Sequence, residues 1–597
     1  MVYKKSFSFT GSGGDTTVSV RELYCRGRRD GFLDFSGQTP DFLTENGGWN
    51  SSKNMNSVMA AARDTPDGAE IREKGVPLCF RAAVPEDGVY AVTISIRGGK
   101  NGLNGLSVYT GRRNLVCRDI KILPGKTFMR QFFVHVCAYI SAVGDPPRVD
   151  QSICISVLGN PARLSGVRIE SSQAPTLFLA GDSLVSDYPG WFPYNPLVTQ
   201  GSWGQNILQY FDRLAVSNQA HGGLTTDCFR DDGDWEIVYR NLRPGDILMM
   251  EFGHNDQKRR NLKAFDGYAA NLRWYVRKAR AKGASPVLVT PMSRKPLKDE
   301  DGWYDLLEEY TRSCLLVGQE LHVPVINLHQ DSFRLRCEKE TGDYFVDVTH
   351  TNDYGALCAA DFIAKEIRRQ KIEPLFSAMN YFAGRPWKPD RFLRPARDII
   401  KPKIEKTSVR SANLSEFPYV DCRNIQQLPD LKKAMSRGLL DPCVKFFHPF
   451  SPLPRGQFLY MLFHAIREPK KRPYQGRFCD IYRHEFDAQF VQMALDADLV
   501  DPATVPGDRF RPDDLLTCGE LMSFIVRSLH PEGERDWDIP SCEYQADSLG
   551  LIWEDYKCTD PVNRVDCAVT LVRMMQLNPN ETAALPIPRK REQNTKD

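Results

Sequence analysis

The chain has 597 residues, of which 42% are apolar and 26% are charged, a composition typical of several globular domains. The formal net charge of +3 is close to zero for this length, which argues against a protein whose overall field attracts nucleic acid. A basic run at 588–591 lies in a polar tail and is interpreted as a solvated chain end.

Cysteine usage and the N-terminus bear on location. Sixteen cysteines are scattered along the chain and none forms Cys-x-x-Cys, which argues against a zinc ribbon and against a disulfide-dense secreted module. Two early lysines are followed by no apolar segment, so we expect no signal peptide, and no apolar run approaches the roughly 20 residues that span a bilayer. These features predict a cytoplasmic protein. A secreted or cell-surface protein whose leader has been removed is the alternative.

Residues 1–172 have the pattern of an all-β domain. Short β-prone runs are separated by Gly, Pro and Asp, and regular runs of this kind predict a β-sandwich. The predicted strands are 88–96, 105–111, 132–140, 152–159 and 165–172. With the stretches 33–37 and 46–49 ahead of them, they resemble galactose-binding-like β-sandwiches. That resemblance implies carbohydrate binding, and a purely structural sandwich is the alternative.

Residues 173–372 change to apolar runs that alternate with helical patterns, which predicts a parallel sheet covered by helices on both faces. The predicted strands are 176–180, 214–218, 246–252, 286–291 and 324–328, and the predicted helices include 264–282 and 302–321. Functional groups gather at the carboxyl ends of the strands in such a sheet. The tripeptide Gly181-Asp182-Ser183 follows the first of them.

A linker rich in Pro, Lys and Arg at 373–415 precedes an internal repeat at 416–577, and a polar tail at 578–597 follows it. The pattern of 418–422 returns at 477–481, that of 446–458 returns at 509–521, and a third, less regular copy lies within 547–569. The copies resemble three S-layer homology repeats, whose signature is close to Thr-Arg-Ala-Glu. Here the signature is represented by 454–457, 517–520 (which lacks the Arg) and 563–566. The resemblance implies binding to cell-wall polysaccharide; a helical module for packing or dimerisation is the alternative.

Ser183 could act as a nucleophile if a base activates it, because a serine hydroxyl is weakly nucleophilic at neutral pH. Asp347 and His350 lie three residues apart, just before a helix predicted to begin near 352 or 353. This spacing lets the carboxylate reach Nδ1 of the imidazole and leaves Nε2 for the serine.

Groups that could stabilise a developing negative charge follow the second and third predicted strands. Gly223 could present its backbone N–H, and Asn255 could present its side-chain amide. Each has an ordinary structural interpretation as well: Gly222-Gly223 as a turn, and the neighbouring His254 as a structural histidine.

The order of these pieces is more specific than any one of them. Gly-Asp-Ser, Asn-x-Ala-x-Gly-Gly, Gly-His-Asn-Asp and Asp-x-x-His follow one another, each at a predicted strand end or in the last loop. This pattern resembles the SGNH (GDSL-like) hydrolases over 173–372. Residues 180–183, 251–256 and 347–351, with Trp203-Gly204, resemble the rhamnogalacturonan acetylesterase family most closely.

The resemblance implies a flavodoxin-like three-layer α/β sandwich that uses no metal and no cofactor. It makes Ser183 the nucleophile, His350 the general base and then the general acid, and Asp347 the residue that orients His350.

The same resemblance implies an oxyanion hole formed by the N–H groups of Ser183 and Gly223 and by the side chain of Asn255. Asp182 and His254 belong to the motifs without a role assigned from the residues.

The implied function is a serine esterase that removes acetyl groups from a plant-cell-wall polysaccharide or oligosaccharide such as acetylated rhamnogalacturonan, a pectin. Two alternatives stay open. The same fold could act on another acyl substrate, such as acetylxylan, a lipid or a thioester. The chain could also be a non-catalytic protein that binds glycans or anchors to a surface through its flanking domains.

Overall fold

A computed structural model describes most of the chain in two compact units, Met1–Asp256 with Ala264–Lys406 and Gln257–Lys263 with Thr407–Asp597. The described residues are 3–11, 16–25, 29–34, 48–51, 61–295, 297–299, 302–337, 344–380, 417, 419–440, 447–466, 474–481, 487–500, 505, 507–512, 514–529 and 538–577. The basic run, the polar tail, most of the predicted linker and parts of the stretches 33–37 and 46–49 lie outside them.

The N-terminal part of the first unit is built from strands. They are β1 (Lys4–Ser8), β2 (Thr16–Thr17), β3 (Asp30–Phe32), β4 (Trp49–Ser51), β5 (Ala62–Thr65), β6 (Gly68–Ile71), β7 (Leu78–Ala83), β8 (Gly88–Arg97), β9 (Leu103–Thr110), β10 (Asn114–Ile122), β11 (Thr127–Val136), β12 (Ser152–Leu158), β13 (Ala162–Leu164) and β14 (Gly166–Ser172). The five strands predicted in this region are confirmed as β8, β9, β11, β12 and β14, with ends that shift by a few residues.

Two groups of antiparallel strands share one hydrophobic core in this region. One group runs in the order β10-β9-β12-β7-β3 and the other in the order β1-β14-β8-β11. Phe7 of β1, Phe32 of β3 and Phe80 of β7 meet there edge to face, with ring centroids 4.9 Å apart for Phe7 and Phe80 and 5.4 Å apart for Phe32 and Phe80. Burial of such aromatic rings is a strong driving force for folding.

The second part of the first unit contains the predicted parallel sheet. The strands of this second part are β15 (Thr176–Gly181), β16 (Gly190–Phe192), β17 (Ala215–Asn218), β18 (Ile247–Glu251), β19 (Ser285–Val289), β20 (Leu297–Asp299), β21 (Gly302–Tyr304) and β22 (Val325–Ile326). The parallel strands lie in the order β17-β15-β18-β19-β22, the second, first, third, fourth and fifth along the chain. This is the flavodoxin-like order, so that prediction is confirmed.

The parallel sheet continues into the N-terminal strands. β17 pairs in parallel with β11, which joins one group of antiparallel strands to the parallel sheet in a single ten-stranded sheet. No sequence pattern predicts this pairing, because it involves only Phe133 with Ala215 and Val134 with Val216.

Helices cover the parallel sheet. They are α1 (Trp203–Asn206), α2 (Thr226–Asp231), α3 (Asp234–Asn241), α4 (Ala269–Ala281), α5 (Glu308–Leu321), α6 (Leu328–Cys337), α7 (Asp353–Gln370) and α8 (Leu375–Ala378). The helix predicted at 264–282 begins with one π-helical turn, Ala264–Tyr268, and continues as α4. Within the described part of the chain, no helix is both long and apolar enough to cross a membrane.

The helix predicted at 302–321 is wrong at its N-terminal end. Gly302–Tyr304 forms β21, which pairs with β20, and α5 begins only at Glu308. Asp305 causes the late start, because its carboxylate accepts the Leu307 N–H at 2.7 Å and its carbonyl accepts the Glu308 N–H at 3.2 Å. Aromatic residues before that turn favour a strand.

The second unit is helical. Its helices are α9 (Leu428–Ser436), α10 (Arg455–Ala465), α11 (Ala488–Asp496), α12 (Cys518–Leu529), α13 (Ile539–Ser548) and α14 (Arg564–Leu577). Equivalent contacts recur along it: the Asp421 carboxylate accepts the N–H groups of Phe447 and His448. The Asp480 carboxylate accepts those of Phe510 and Arg511 in the same way.

Candidate active site

Ser183 lies in a tight turn that follows β15. The Asp182 carbonyl accepts the Ser186 hydroxyl at 2.8 Å, and the Asp182 carboxylate accepts the Leu184 N–H at 3.0 Å. These bonds fix the turn on both sides of the serine. Ser183 retains 9% of its exposure, so it lies just below the surface of the molecule.

His350 lies in the loop before α7, 167 residues after Ser183 in the sequence, and contacts it directly. Its Nε2 lies 3.0 Å from Oγ of Ser183, and its Nδ1 lies 2.8 Å from Oδ2 of Asp347. An ionised carboxylate only accepts hydrogen bonds, so Nδ1 carries the proton and Nε2 accepts from the serine hydroxyl. The structure therefore brings together all three residues that the sequence analysis assigned to catalysis.

The Asp347 carboxylate is held in its ionised form. Burial opposes ionisation, but the carboxylate accepts the His350 ring N–H and, at 2.6 Å each, the backbone N–H groups of Thr349 and His350. These hydrogen bonds outweigh burial and hold the pKa of Asp347 well below its usual range. Asp347 therefore stays negatively charged over the whole neutral range.

Arg336, in α6, supports the loop that carries Asp347 and His350. Its guanidinium donates to the carbonyls of Thr349 at 2.7 Å and Asp347 at 3.3 Å, and it lies 3.3 Å from the centre of the Phe345 ring. The sequence analysis missed this residue, because a buried arginine on a helix leaves no motif.

Two of the three predicted oxyanion donors, Gly223 and Asn255, lie in neighbouring loops. Gly223 has a φ of +89°, which a residue with a side chain rarely adopts. The Asn255 side-chain amide donates to the carbonyl of Leu224, the residue that follows Gly223, at 3.0 Å. This hydrogen bond links the two loops. The Gly222 position faces the serine, since a Cβ built there would lie 4.0 Å from Cβ of Ser183.

Asp182 and His254 form a buried pair beneath the serine. Nδ1 of His254 lies 3.3 Å from Oδ2 of Asp182, and both side chains are almost completely buried. Burial lowers the pKa of His254, although the Asp182 carboxylate opposes the shift. The pair therefore connects the Ser183 turn to the loop after β18.

Glu251, the first residue of the segment 251–256, is a buried acid for which the sequence predicted no role. Its carboxyl group accepts the Met292 N–H at 2.9 Å and the indole N–H of Trp203. Burial, with the nearby Asp182 charge, raises the pKa of Glu251 to about 8. Its position at the end of the apolar strand β18 is the feature of the sequence that could have indicated a buried acid.

Asp256 is a second acid of this kind. It accepts the backbone N–H of Thr226 at 2.9 Å and the Thr226 hydroxyl at 2.6 Å. Burial outweighs these bonds and raises the pKa of Asp256 to about 7.

Among the residues that the structure describes, no group of three or more His, Cys, Asp or Glu side chains is placed to hold a metal ion.

A known protein family resembles the part of the chain that carries these residues. The model of the GDSL-like Lipase/Acylhydrolase family matches residues 179–357, which include the Ser183 turn and the His350 loop. A rhamnogalacturonan acetylesterase, RhgT of Bacillus subtilis, is 34% identical over 211 residues, which are 32% of this chain and 88% of that protein. The chain belongs to the GDSL-like lipase/acylhydrolase family.

A second curated relative and a solved structure also match this chain. A probable rhamnogalacturonan acetylesterase of Bacillus subtilis, YesY, is 30% identical over 209 residues, which are 32% of this chain and 92% of that protein. The crystal structure of Bacillus subtilis YxiM covers 62% of this chain and 99% of that chain at 21% identity, with a TM-score of 0.31. Membership of the acylhydrolase family makes the chain a carboxylic ester hydrolase.

Replacement of Glu251 by Gln tests the buried acid. The folded pKa of about 8 lies above the usual value near 4.3, so the folded state holds a proton that the unfolded chain has lost between these values. The stability that this proton contributes is full below the lower pKa and is lost as pH rises through the upper one. Between about pH 5 and 7.5, we expect this proton to make the free energy of unfolding of the wild type fall by about 1.4 kcal/mol per pH unit. Glu251→Gln should lack this part of the decline.

The measurement is the free energy of unfolding of both proteins at several pH values. The control is Glu320→Gln at an exposed glutamate of α5, whose pKa is lowered by the Arg273 hydrogen bond, so the slope above about pH 5 stays as in the wild type. Parallel curves for the wild type and Glu251→Gln would show that the buried carboxyl group is not protonated.

Proposed function

We propose that the chain is a serine esterase that removes acetyl groups from a carbohydrate, with Ser183, His350 and Asp347 as its catalytic residues. The observation that supports this most directly is the continuous line of contacts from Ser183 Oγ to His350 Nε2, at 3.0 Å, and from His350 Nδ1 to Asp347, at 2.8 Å. This is the arrangement that activates a serine for acyl transfer.

In the first half of the proposed reaction, Ser183 Oγ attacks the carbonyl carbon of an acetyl ester while its proton passes to Nε2 of His350. The Asp347 carboxylate stabilises the resulting imidazolium. The tetrahedral intermediate then collapses, the bond from carbon to the sugar oxygen breaks, and Nε2 returns the proton to that oxygen. The products are a free sugar hydroxyl and an acetylated Ser183.

In the second half, water replaces the sugar. Nε2 takes one proton from the water as its oxygen attacks the acetyl carbon, and that proton then passes to Ser183 Oγ as acetic acid leaves. The acid carries the second proton of the water and loses it to the solvent as acetate forms. The N–H groups of Ser183 and Gly223 and the amide of Asn255 are the proposed donors to the negatively charged oxygen in both steps.

The proposed substrate is acetylated rhamnogalacturonan, as the names of the relatives RhgT and YesY suggest. This polymer carries uronate carboxylates, and two basic residues lie beside the site. Arg294 is half-buried and donates to the His254 carbonyl at 3.3 Å, and the exposed Lys295 donates its backbone N–H to the Val348 carbonyl at 2.9 Å. Positive charge there favours an anionic sugar over a neutral acyl chain.

The flanking regions carry separate proposals. In the helical unit, residues of the repeat signature contact one another: Arg455 pairs with Glu520 at 2.6 Å, and Arg564 donates to Gln457 at 2.9 Å. Side chains used in this way favour a packing module over one that binds cell-wall polysaccharide. Carbohydrate binding by the N-terminal strands and a cytoplasmic location remain proposals from the sequence.

Replacement of Ser183 by Ala tests the nucleophile. We expect Ser183→Ala to reduce acetate release from acetylated pectic oligosaccharide to the background rate, because no other group would carry the acyl intermediate.

Asp347→Asn should lower kcat by about 10³–10⁴-fold, since the imidazole would lose its orienting charge.

The matched control is Ser313→Ala, which removes a buried hydroxyl in α5 that donates to the Ala264 carbonyl. This variant should keep kcat within about 2-fold of the wild type, since it lies outside the reacting atoms. Equal acetate release by the wild type and Ser183→Ala would refute the proposed nucleophile.

Replacement of Arg294 by Gln tests the uronate. We expect KM for acetylated rhamnogalacturonan fragments to rise by about 10-fold or more, because a charge-assisted hydrogen bond is lost. The kcat/KM for neutral 4-nitrophenyl acetate should change by less than about 3-fold. The control is Arg273→Gln on α4, a half-buried arginine that pairs with Glu320 at 2.8 Å.

Equal losses on the charged and neutral substrates would contradict uronate recognition by Arg294. A series of nitrophenyl esters of increasing acyl length should favour acetate; preference for long chains would support a lipase instead.

A further inference from the structure

The turn between β9 and β10 places two arginines against the candidate active site. It consists of Gly111, Arg112 and Arg113, and Arg113 has a φ of +68°. A residue with a Cβ rarely adopts this left-handed conformation, and such conformations persist where surrounding contacts enforce them. The contacts of the Arg113 side chain provide that enforcement.

Arg113 is almost completely buried, and its guanidinium contacts four separate positions of the hydrolase part. Nε donates to the Tyr188 carbonyl at 3.0 Å, and Nη2 donates to the Gln200 carbonyl at 3.2 Å and to Oε1 of Gln205 at 3.1 Å. Nη1 forms an ion pair with the Asp353 carboxylate. Every nitrogen of the planar fork is therefore used.

Two of these contacts lead to the residues proposed for catalysis. The Tyr188 hydroxyl donates to the Ser183 carbonyl at 2.8 Å, so the carbonyl that Arg113 holds belongs to a residue that supports the nucleophile. Asp353 is the first residue of α7 and follows His350 by three positions. Arg113 thus connects the segment that carries the serine to the segment that carries the imidazole.

Arg112 makes a similar connection to the proposed oxyanion donors. Its Nε lies 2.8 Å from the Asp187 carboxylate, in the Ser183 loop, and its Nη2 donates to the carbonyl of Asn218. Asn218 ends β17 and begins the loop that leads to Gly223. Its own amide returns to Asp187 at 2.8 Å, which closes the link between the two loops.

We propose that the N-terminal strands complete the active site by supplying Arg113 and Arg112 as positioning residues, which hold the loops of Ser183, His350 and Gly223 in reacting geometry. This inference rests on the proposed function, because it assigns a role to residues that act through the proposed triad. Neither arginine touches the reacting atoms. The pairing of β11 with β17 gives the two parts of the unit the rigid connection that such a role requires.

A lysine cannot replace Arg113 in this role. The guanidinium is planar and reaches its acceptors in fixed directions, whereas an ammonium is a compact point charge that cannot meet four dispersed acceptors at once. Misplacement of reacting groups by about 1 Å can cost about 10²-fold in rate. We therefore expect Arg113→Lys to lower kcat on 4-nitrophenyl acetate by about 10- to 10²-fold, with KM within about 3-fold.

The matched control is Arg163→Lys. Arg163 is also a buried arginine of the N-terminal strands, and it pairs with the buried Glu70 at 2.5 Å. Arg163 and Glu70 lie on β13 and β6, which pair with each other. Arg163→Lys should lower Tm as Arg113→Lys does while leaving kcat within about 2-fold, because its contacts do not lead to the triad.

A second variant guards against misfolding of Arg113→Lys. Asp353→Asn keeps the size of the side chain and removes only its charge, so it should fold and still lower kcat. The double variant should be no slower than the slower single variant, since the Arg113–Asp353 ion pair lost in Asp353→Asn is among the contacts that Arg113→Lys disturbs. The rate at which a phosphonate ester labels Ser183 in the full chain should fall in parallel with kcat.

The outcomes separate this inference from the proposed function. If Ser183→Ala is inactive while Arg113→Lys and Asp353→Asn both keep kcat and the labelling rate within about 2-fold, the positioning role is refuted and the esterase stands. If Arg163→Lys loses as much kcat as Arg113→Lys at equal Tm, the effect is general destabilisation and the role is also refuted. If Ser183→Ala remains active, the proposed function itself fails.

Discussion

A parallel sheet brings the carboxyl ends of its strands to one edge, and the candidate site depends on that constraint. β15 ends beside Ser183, β17 leads to Gly223, and β18 leads to Asn255, so three distant segments reach one place through sheet geometry alone. Every residue of β15 and β18 is buried, which fixes the register of these two strands and hence the positions of the residues that follow.

His350 is not placed by a strand, so its position needs other support. It precedes α7, whose first turn is capped by the Asn352 side chain, and its loop is held by Arg336. The segment after it pairs with 199–201, where the Asp353 carboxylate approaches so closely that a Cβ on Gly201 would lie 2.0 Å from it. The contact between His350 and Ser183 joins residues 167 positions apart in the sequence. It therefore depends on the several local contacts that hold the His350 loop in place.

Charge beneath the site is limited by burial. Asp182, Glu251 and Asp256 lie close to the serine turn and the loop after β18. If all three carboxylates were ionised, they would oppose a negatively charged oxygen at Ser183. The raised pKa values of Glu251, about 8, and Asp256, about 7, reduce that negative charge at neutral pH. Asp347 keeps its charge because hydrogen bonds to it outweigh burial, and it faces the imidazole that becomes positive.

Much of the site could be predicted because its residues follow strand ends in a fixed order. The alternation of apolar runs and helices predicted a parallel sheet, and the resemblance to the SGNH hydrolases implied its strand order. The spacing of Asp347 and His350 predicted their contact. The pairing of β11 with β17, the strand at 302–304 and the contacts of Arg113 could not be predicted, since they depend on tertiary packing between distant segments. Glu251 lies in the segment 251–256 that carries the resemblance, but its raised pKa is a consequence of burial that composition does not show.

The central claim is that the hydroxyl of Ser183 carries the acyl group during turnover. Acid quenching of the full-length enzyme during hydrolysis of an activated acetyl ester, followed by peptide mass spectrometry, tests it directly. The account predicts an acetyl group on the peptide that contains Ser183, and a slower loss of that group when His350 is replaced by Ala. An acetyl group on another residue, or full turnover without any acetylated peptide when hydrolysis of the adduct is slowed, would contradict it.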